Sequence, residues 1–397
     1  MSDVAQNPGA PTGEPERQSV SLRDLSLYFL KLGSSGFGGP IALAGYMQRD
    51  LLEQRHWITK DEYQDGLAIA QTMPGPLAAQ LAMWIGFIRY GALGATLAGT
   101  LFIVTPFILV LVIAVLYVQF EGLSVIRALF YGIGPATIAI ISLSAWRLAK
   151  TTDGQDPRLW VISAILLVVT VATGSELAYL FVAAGIVTSI VYSAPWRRTA
   201  DGTTSTSGLL SPFVPAPLLA ITTLSAGGLL TMTLFFLKAS AFTFGSGLAI
   251  VPFLHQGVVI DHGWLTEREF LDAVALGIIT PGPVVIMATF VGYLVGGVPG
   301  AFLAAFGVFA PVWVINVIIG RLFLRYRQHP YVRGFVKGAT AAAIGALGGA
   351  CIILGDRAII DPVTVVIFLA ALPLLYFKRL NEPAVIGLGG IIGLIAF

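Results

Sequence analysis

The stretches QTMPGPLAAQ (71–80) and IITPGPVVIM (278–287) carry one triplet, Pro-Gly-Pro, at 74–76 and again at 281–283. Proline has no amide hydrogen and glycine has no Cβ, so the triplet ends a helix. In water that is an ordinary turn. In a bilayer it leaves backbone polar groups that must find partners inside the protein. Composition decides which solvent applies. Of 397 residues, 56% are hydrophobic and 11% charged, where globular domains carry about 25% charged residues. Apolar runs at 96–118, 124–146, 158–173, 177–193, 298–320 and 363–377 match spans of about 17–25 residues. The sequence therefore specifies an all-α polytopic integral membrane protein.

The spacing of the triplets extends in both directions. At an offset of 207, Phe29, Leu30, Lys31, Phe37 and Gly38 meet Phe236, Leu237, Lys238, Phe244 and Gly245. Trp57, Thr59, Glu62 and Asp65 meet Trp264, Thr266, Glu269 and Asp272, and beyond the triplets Gly86, Gly91 and Gly94 meet Gly292, Gly297 and Gly300 after a one-residue slip. Shared apolar composition does not align Lys, Trp, Glu and Asp in one register, so the chain is a duplicated unit. The expected organisation is a polar, disordered cytoplasmic tail (1–22), a first transmembrane repeat (23–193), a Pro/Ser-rich linker (194–213) and a second repeat (214–397).

Lys/Arg-rich loops mark the cytoplasmic side. The clusters are Arg147, Lys150 and Arg158; Arg197 and Arg198; Arg321, Arg325, Arg327 and Arg333; and Lys378 with Arg379. The loop after 96–118 is nearly neutral, whereas its counterpart after 298–320 holds four arginines. Equivalent loops thus face opposite sides, given one more span near 214–230. The expectation is two inverted-topology repeats, a plan common among secondary transporters.

Residues 61–73 and 77–88 would each reach about 20 Å as helices, less than the roughly 30 Å hydrocarbon core. Each PGP is thus the middle of a broken span or the tip of a re-entrant hairpin. The same holds for GSSGFGGP (33–40) and TFGSG (243–247). Half-helix N-termini offer unpaired N–H groups, and glycine lets a ligand approach the backbone. That suits a multivalent oxyanion, while the carbonyl ends at the same breaks would suit sodium. The candidate binding set is Lys31, Gly36, Phe37, Gly38 and Gly39; Pro74, Gly75 and Pro76; Lys238, Phe244, Gly245, Ser246 and Gly247; and Pro281, Gly282 and Pro283. Lys31 and Lys238 fit two descriptions, a pseudo-symmetric pair of cations facing substrate or charges that snorkel or pair with Asp65 and Asp272.

Glu62 and Glu269 follow Thr59 and Thr266 in the order of a capping box, which makes them helix-start charges. For Asp65 and Asp272, proton coupling and helix-face charge both remain open. Gln71 is a third coupling candidate, unmatched because Ile278 stands at its place. Gln80 and Asn316 read as helix-to-helix hydrogen bonds, and the run 338–350 as close helix packing. No HExxH, Walker or dinucleotide pattern is present, and Cys351 is the lone cysteine. No metal, cofactor or catalytic set is expected. A net charge of +2 gives no ground for nucleic acid.

FGGP at 37–40, the W-(I/L)-T-x-x-E-(Y/F)-x-D blocks at 57–65 and 264–272, the two PGP triplets and the glycines that follow resemble the chromate transporter (CHR) family, long-chain two-domain type. The resemblance runs from about residue 24 onward, with FGSG at 244–247 departing from FGGP. It implies a non-enzymatic secondary carrier in the bacterial cytoplasmic membrane that exports chromate at the expense of the proton gradient. Its partners would be chromate, with sulfate as the near analogue, and membrane lipid; a homodimer is compatible with it. A sulfate or other oxyanion carrier and a passive anion channel are the alternatives.

Overall fold

A computed structural model describes residues 18–120, 124–174, 178–193, 228–241, 243, 247–320, 322 and 329–397. The linker, the span expected near 214–230 up to residue 227, and Phe244, Gly245, Ser246, Arg197, Arg198, Arg321, Arg325 and Arg327 lie outside these residues.

In the first half, α1 (Leu22–Ser35) is followed by α2 (Gly39–Met47), which runs into a π-helical turn (Gln48–Gln54). Then come α3 (Lys60–Thr72), α4 (Leu77–Phe120), α5 (Ser124–Thr152), α6 (Pro157–Thr173) and α7 (Ala178–Ser193). The second half repeats the plan. α8 (Gly228–Ala241) leads to a 3-10 turn (Gly247–Ile250), the short α9 (Val251–Leu254) and a π-helical turn (His255–Asp261). α10 (Glu267–Ile279) precedes a 3-10 turn (Val284–Ile286), α11 (Met287–Val314) and a π-helical turn (Ile315–Ile319). α12 (Pro330–Ala358), α13 (Pro362–Tyr376) and α14 (Glu382–Ala396) complete the chain.

Local chemistry recurs with the plan. Thr59 and Thr266 each cap a helix, Oγ1 accepting from the Glu62 and Glu269 amides, and their own backbone N–H groups donate back to those glutamates' carboxylates, so both close capping boxes. α4 kinks at Tyr90–Gly91 and α11 at Gly296–Gly297, where Gly91 and Gly297 have φ of 62° and 60°. The kinks fold each helix back on itself: a Cβ at Gly86 would lie 2.2 Å from the Gly94 oxygen, and one at Gly292 2.4 Å from the Gly300 oxygen. These are the glycines that the one-residue slip aligns.

Equivalent helices run antiparallel. Phe107 on α4 packs against Phe302 on α11, ring centroids 4.6 Å apart, and the Trp313 indole donates to Thr96 Oγ1 at 2.9 Å. At an offset of 206, Phe107 corresponds to Trp313 and Thr96 to Phe302, so one contact is the other's symmetry mate. α5 and α12 are antiparallel too, with Gly134 meeting Ala358 and Ile138 meeting Gly355. The two-fold axis relating the halves therefore lies across the helices. The halves also exchange partners: α12 packs against α6 and α7, and α5 against α13 and α14. Small residues allow the close approach, as at Gly338 against Ala184 and at Gly132 against Gly389.

Charge does not follow the symmetry. Arg147 on α5 donates to Leu375 O at the end of α13, Lys337 on α12 lies over the Tyr192 ring of α7, and Trp146 packs on Trp160 of α6. Arg147, Lys150, Arg158, Arg333, Lys337, Lys378 and Arg379 thus share one face of the bundle, called the basic face below. On the opposite face, Ile353 and Asp356 hold the places equivalent to Arg147 and Lys150. Four helical stretches, Leu77–Phe120, Ser124–Thr152, Val284–Ile319 and Pro330–Ala358, are long and apolar enough to cross a membrane. Large apolar side chains such as Val168, Ile186, Phe306, Val366 and Ile395 face outward. The protein is a multi-pass membrane protein.

Candidate functional site

Each half sends two helical hairpins inward. α3 and the first arm of α4 are antiparallel, because the Trp84 indole donates to Glu62 O while Gly66 lies against Leu81 and Trp84. Pro74-Gly75-Pro76 is the tip of that hairpin. α1 and α2 form the second, with Tyr28 reaching Asp50 and Trp57, and Gly36 lying against Leu43 at the tip. In the other half Phe235 packs against His262 and Trp264, and Gly277 lies against Val284 and Met287. The breaks are hairpin tips, not interruptions of continuous spans.

The tips meet across the two-fold. Gly75 N donates to Thr243 O at 2.6 Å, and Gly282 N donates to Gly36 O at 2.9 Å. At an offset of 207 these are one bond made twice. Gly75 (φ 125°) and Gly282 (φ 92°) adopt backbone conformations that glycine alone takes readily. The amides of Gly75 and Gly282 are thus spent on carbonyls at the ends of α1 and α8, which removes them as donors to a ligand. The same bonds satisfy carbonyls that would otherwise face an anion. Among the described residues, what remains at the centre are the N-terminal ends of α2, α4 and the 3-10 turns at Gly247 and Val284, the positive ends of their dipoles.

Two cavities carry charged side chains. One, of about 200 Å³, is lined by Asp24, Leu27, Tyr28, Lys31, Arg55 and Trp57. It lies toward the basic face, since α1 starts beside the α4 kink, where Tyr90 OH donates to Val20 O. The other, of about 60 Å³, is lined by Tyr117, Ile126, Arg127, Phe130, Arg268 and Asp272. It lies toward the opposite face, and both halves contribute to it. Each holds two cations and one carboxylate.

Of the sequence candidates, Lys31 lines the first cavity, one turn before Gly36, and is exposed. Lys238 is exposed at the equivalent place in α8. Asp272 is buried in the second cavity, where Tyr117 OH donates to its Oδ2 at 2.7 Å. Asp65 is half-buried, and Gln71 is exposed at the end of α3. Gly36 is buried while Phe37 and Gly38 are exposed; Pro74 is half-buried, and Gly75, Pro76, Gly247, Pro281, Gly282 and Pro283 are buried. Gly39 (φ 74°) faces the Glu382 carboxylate, 3.7 Å from where its Cβ would lie. Sequence reasoning missed Arg55, Arg127 and Arg268. Arg268 stands where the first half has Asp61, so duplication gave no signal for it.

His255 bonds Glu267 at 2.8 Å, and His262 stacks on Trp264 at 4.2 Å. Both therefore have structural partners.

A membrane protein whose halves each send two half-length hairpins to a shared centre has the build of a transporter. The chain belongs to the chromate transporter family, whose profile, described as Chromate transporter, matches residues 23–189 and 230–394. It is 47% identical over 385 residues to the chromate transport protein of Cupriavidus metallidurans, covering 96% of this chain and 94% of that one. It is 44% identical to a probable chromate transport protein of Synechococcus elongatus, covering 95% and 96%. With the chromate transport protein of Pseudomonas aeruginosa the identity is 30%, over 97% and 95%. No solved structure matches.

Proposed function

We propose that the protein is a secondary active carrier that exports chromate across the bacterial cytoplasmic membrane, driven by the proton gradient, with the basic face cytoplasmic. Family membership and the names of the relatives support the substrate. The observation that carries the mechanism is the pair of equivalent tip bonds, Gly75 to Thr243 and Gly282 to Gly36. They couple hairpins that enter from opposite faces, so that opening one side loosens its mate on the other. With the helices along the membrane normal, the two halves have opposite topology, which alternating access requires.

In this reading the dianion enters beside Lys31 and Arg55 and is held at the tips by helix N-terminal amides. It leaves past Arg127 and Arg268. A single unit charge 4 Å from another is worth about 4 kcal/mol at an effective dielectric of 20, so two cations per vestibule offset much of the anion's desolvation. Asp272, buried beside both arginines, is the proton-coupling residue: protonated, it releases positive charge to the anion, and ionised, it competes with it.

The test is chromate flux into everted vesicles, with sulfate and molybdate as competitors and with an uncoupler added. Uphill accumulation abolished by the uncoupler is expected. Accumulation of sulfate without chromate would overturn the substrate, and uncoupler-insensitive flux would make the protein a channel. Asp272→Asn is expected to stop uphill accumulation while chromate binding stays within about threefold, a difference of about 0.7 kcal/mol.

A further inference from the structure

Two buried amide oxygens stand beside the first PGP tip without partners. Gln80 is fully buried, and its side-chain nitrogen donates to Met73 O and Pro74 O, which uses both N–H protons. Asn316 is fully buried too, and its nitrogen donates to Val312 O at 2.9 Å. Among the described residues, neither Gln80 Oε1 nor Asn316 Oδ1 has a hydrogen-bond partner. Leaving a buried acceptor unpaired costs about 1–3 kcal/mol. Turning either amide over would set its oxygen against the carbonyls that now receive its protons, so the spare function at both positions is an acceptor.

The two side chains belong to one place. A Cβ at Gly75 would lie 2.6 Å from Gln80 Nε2 and 3.0 Å from Val312 Cγ2, so Gln80 and Val312 wall the same point. Asn316 follows Val312 by one turn and is bonded to its carbonyl. A turn further on, Gly320 lies against Trp84 and Ile69. Asn316 thus sits between two contacts that α11 and its π-helical turn make with the hairpin carrying Gln80. That turn, Ile315–Ile319, has an α-helical counterpart in the first half, and π-turns often mark functional positions. The Met73 and Pro74 carbonyls, just past the end of α3, lie here as well, beside the Gln80 nitrogen that donates to them.

The pair is also asymmetric. Where Gln80 stands, the second half has Met287, and where Asn316 stands the first half has Val110. The fold therefore accepts apolar residues at both places and does not itself demand the amides.

We propose that Gln80 and Asn316, with the Met73 and Pro74 carbonyls beside them, form a site for a dehydrated sodium ion. Neutral oxygen ligands suit a single positive charge, and an anion would find no donors in this set. Magnesium and calcium take charged carboxylates and keep water or six to eight oxygens, which two enclosed amides do not provide. The site lies one turn from the tip bond of Gly75, so its occupancy would brace the first hairpin. The assignment stands independently of which anion the protein carries.

The experiment follows thermal unfolding of the detergent-solubilised full chain in sodium, potassium or choline chloride at constant ionic strength, without oxyanions. Sodium is expected to raise the midpoint saturably over choline. Gln80→Met and Asn316→Val, which introduce the residues of the opposite half, should each raise the half-saturating sodium concentration at least about tenfold, equivalent to about 1.4 kcal/mol. Their midpoints in choline should match or exceed that of the wild type. A wild-type midpoint indifferent to sodium, an equal response to potassium, or variants that respond as the wild type does would overturn the site. Should Gln80→Met not fold, radioactive sodium binding to Asn316→Val decides, with unchanged binding refuting the proposal. Chromate flux is absent from the assay, so its outcome is separate from that of the transport reading.

Discussion

The amide of Gly75, in the first half, donates to the carbonyl oxygen of Thr243, in the second, at 2.6 Å. Gly282 and Gly36 make the same bond in the reverse sense. A helix stop in lipid is costly because its backbone groups lack water. Here each half's stop supplies what the other half's stop lacks. The breaks are therefore tolerable only as a set, and the duplication that made two of them also made their partners. Rotation of one half against the other must strain both bonds together.

Replacing either glycine should be severe. In Gly75→Ala a Cβ would meet Gln80 Nε2 at 2.6 Å on a backbone at φ 125°, and in Gly282→Ala it would meet Pro106 Cγ at 3.0 Å at φ 92°. Left-handed strain alone costs about 1–2 kcal/mol, and the contacts add to it. Gly91→Ala, with φ 62° and open space around its Cβ, carries the strain without the clash. Thermal midpoints in detergent should fall further for Gly75→Ala and Gly282→Ala than for Gly91→Ala. Equal falls would show that the tips are not tightly packed.

The two lysines should separate by setting. Lys31 shares its cavity with Arg55 and Asp24, so Lys31→Ala removes one of two cations from a vestibule. Chromate binding is expected to weaken about tenfold, or about 1.4 kcal/mol, and to lose part of its salt dependence. Arg268→Ala should act similarly from the opposite face. Unchanged affinity in Lys31→Ala, measured by titration calorimetry on folded protein, would reduce it to a snorkelling charge.

Much of this arrangement could be read from the residues. The register of Lys31, Trp57, Thr59, Glu62, Asp65 and PGP against its copy specified the duplication and both capping boxes, and Gly86 and Gly94 aligned with their copies, although the kink that brings them together was not read from them. Three things were not legible. Whether PGP crosses or turns back depends on Gly66 meeting Trp84, a contact between residues 18 positions apart that no periodicity encodes. The second vestibule brings Arg127 from one half to Arg268 and Asp272 of the other, and pairing across a two-fold leaves no local pattern. Gln80 and Asn316 were visible as polar groups in apolar helices, but their unpaired oxygens were not.

The distribution of charge predicts how the bundle sits in the membrane. Arg158 and Arg379 lie on the basic face, and Asp361 lies at the other end, where it caps α13 and receives the Tyr131 hydroxyl. In a background with Cys351 replaced by serine, single cysteines at 158 and 379 should react with an impermeant maleimide in everted vesicles alone. A cysteine at 361 should react in intact cells. Cys351 is buried, which shields it from the reagent, and serine is its nearest match in size. Labelling of 158 and 361 from one side would contradict a bundle crossed by α6 and α13 in opposite senses.

Asp153 makes a prediction about pH. It lies in the turn after α5, 1% exposed, and its Oδ2 accepts from Ser163 Oγ at 2.7 Å while Oδ1 has no partner among the described residues. Burial raises its pKa above the ordinary aspartate value; the Ser163 bond opposes the shift and the nearby Asp156 carboxylate adds to it. A carboxyl group whose folded pKa is raised binds its proton more tightly in the folded state. Its contribution is then fully present below the unfolded pKa, about 3.9, and is lost as pH rises through the folded value. Asp153→Asn keeps an uncharged group of the same shape, so the difference in thermal midpoint between variant and wild type should grow in the variant's favour across that window and level off above it. Ser163 Oγ also donates to Ala341 O at 2.9 Å, so the effect should be felt where α5, α6 and α12 meet, on the basic face. A midpoint difference that is constant with pH would mean that Asp153 is ionised in the fold at no cost, with a donor to Oδ1 supplied from solvent.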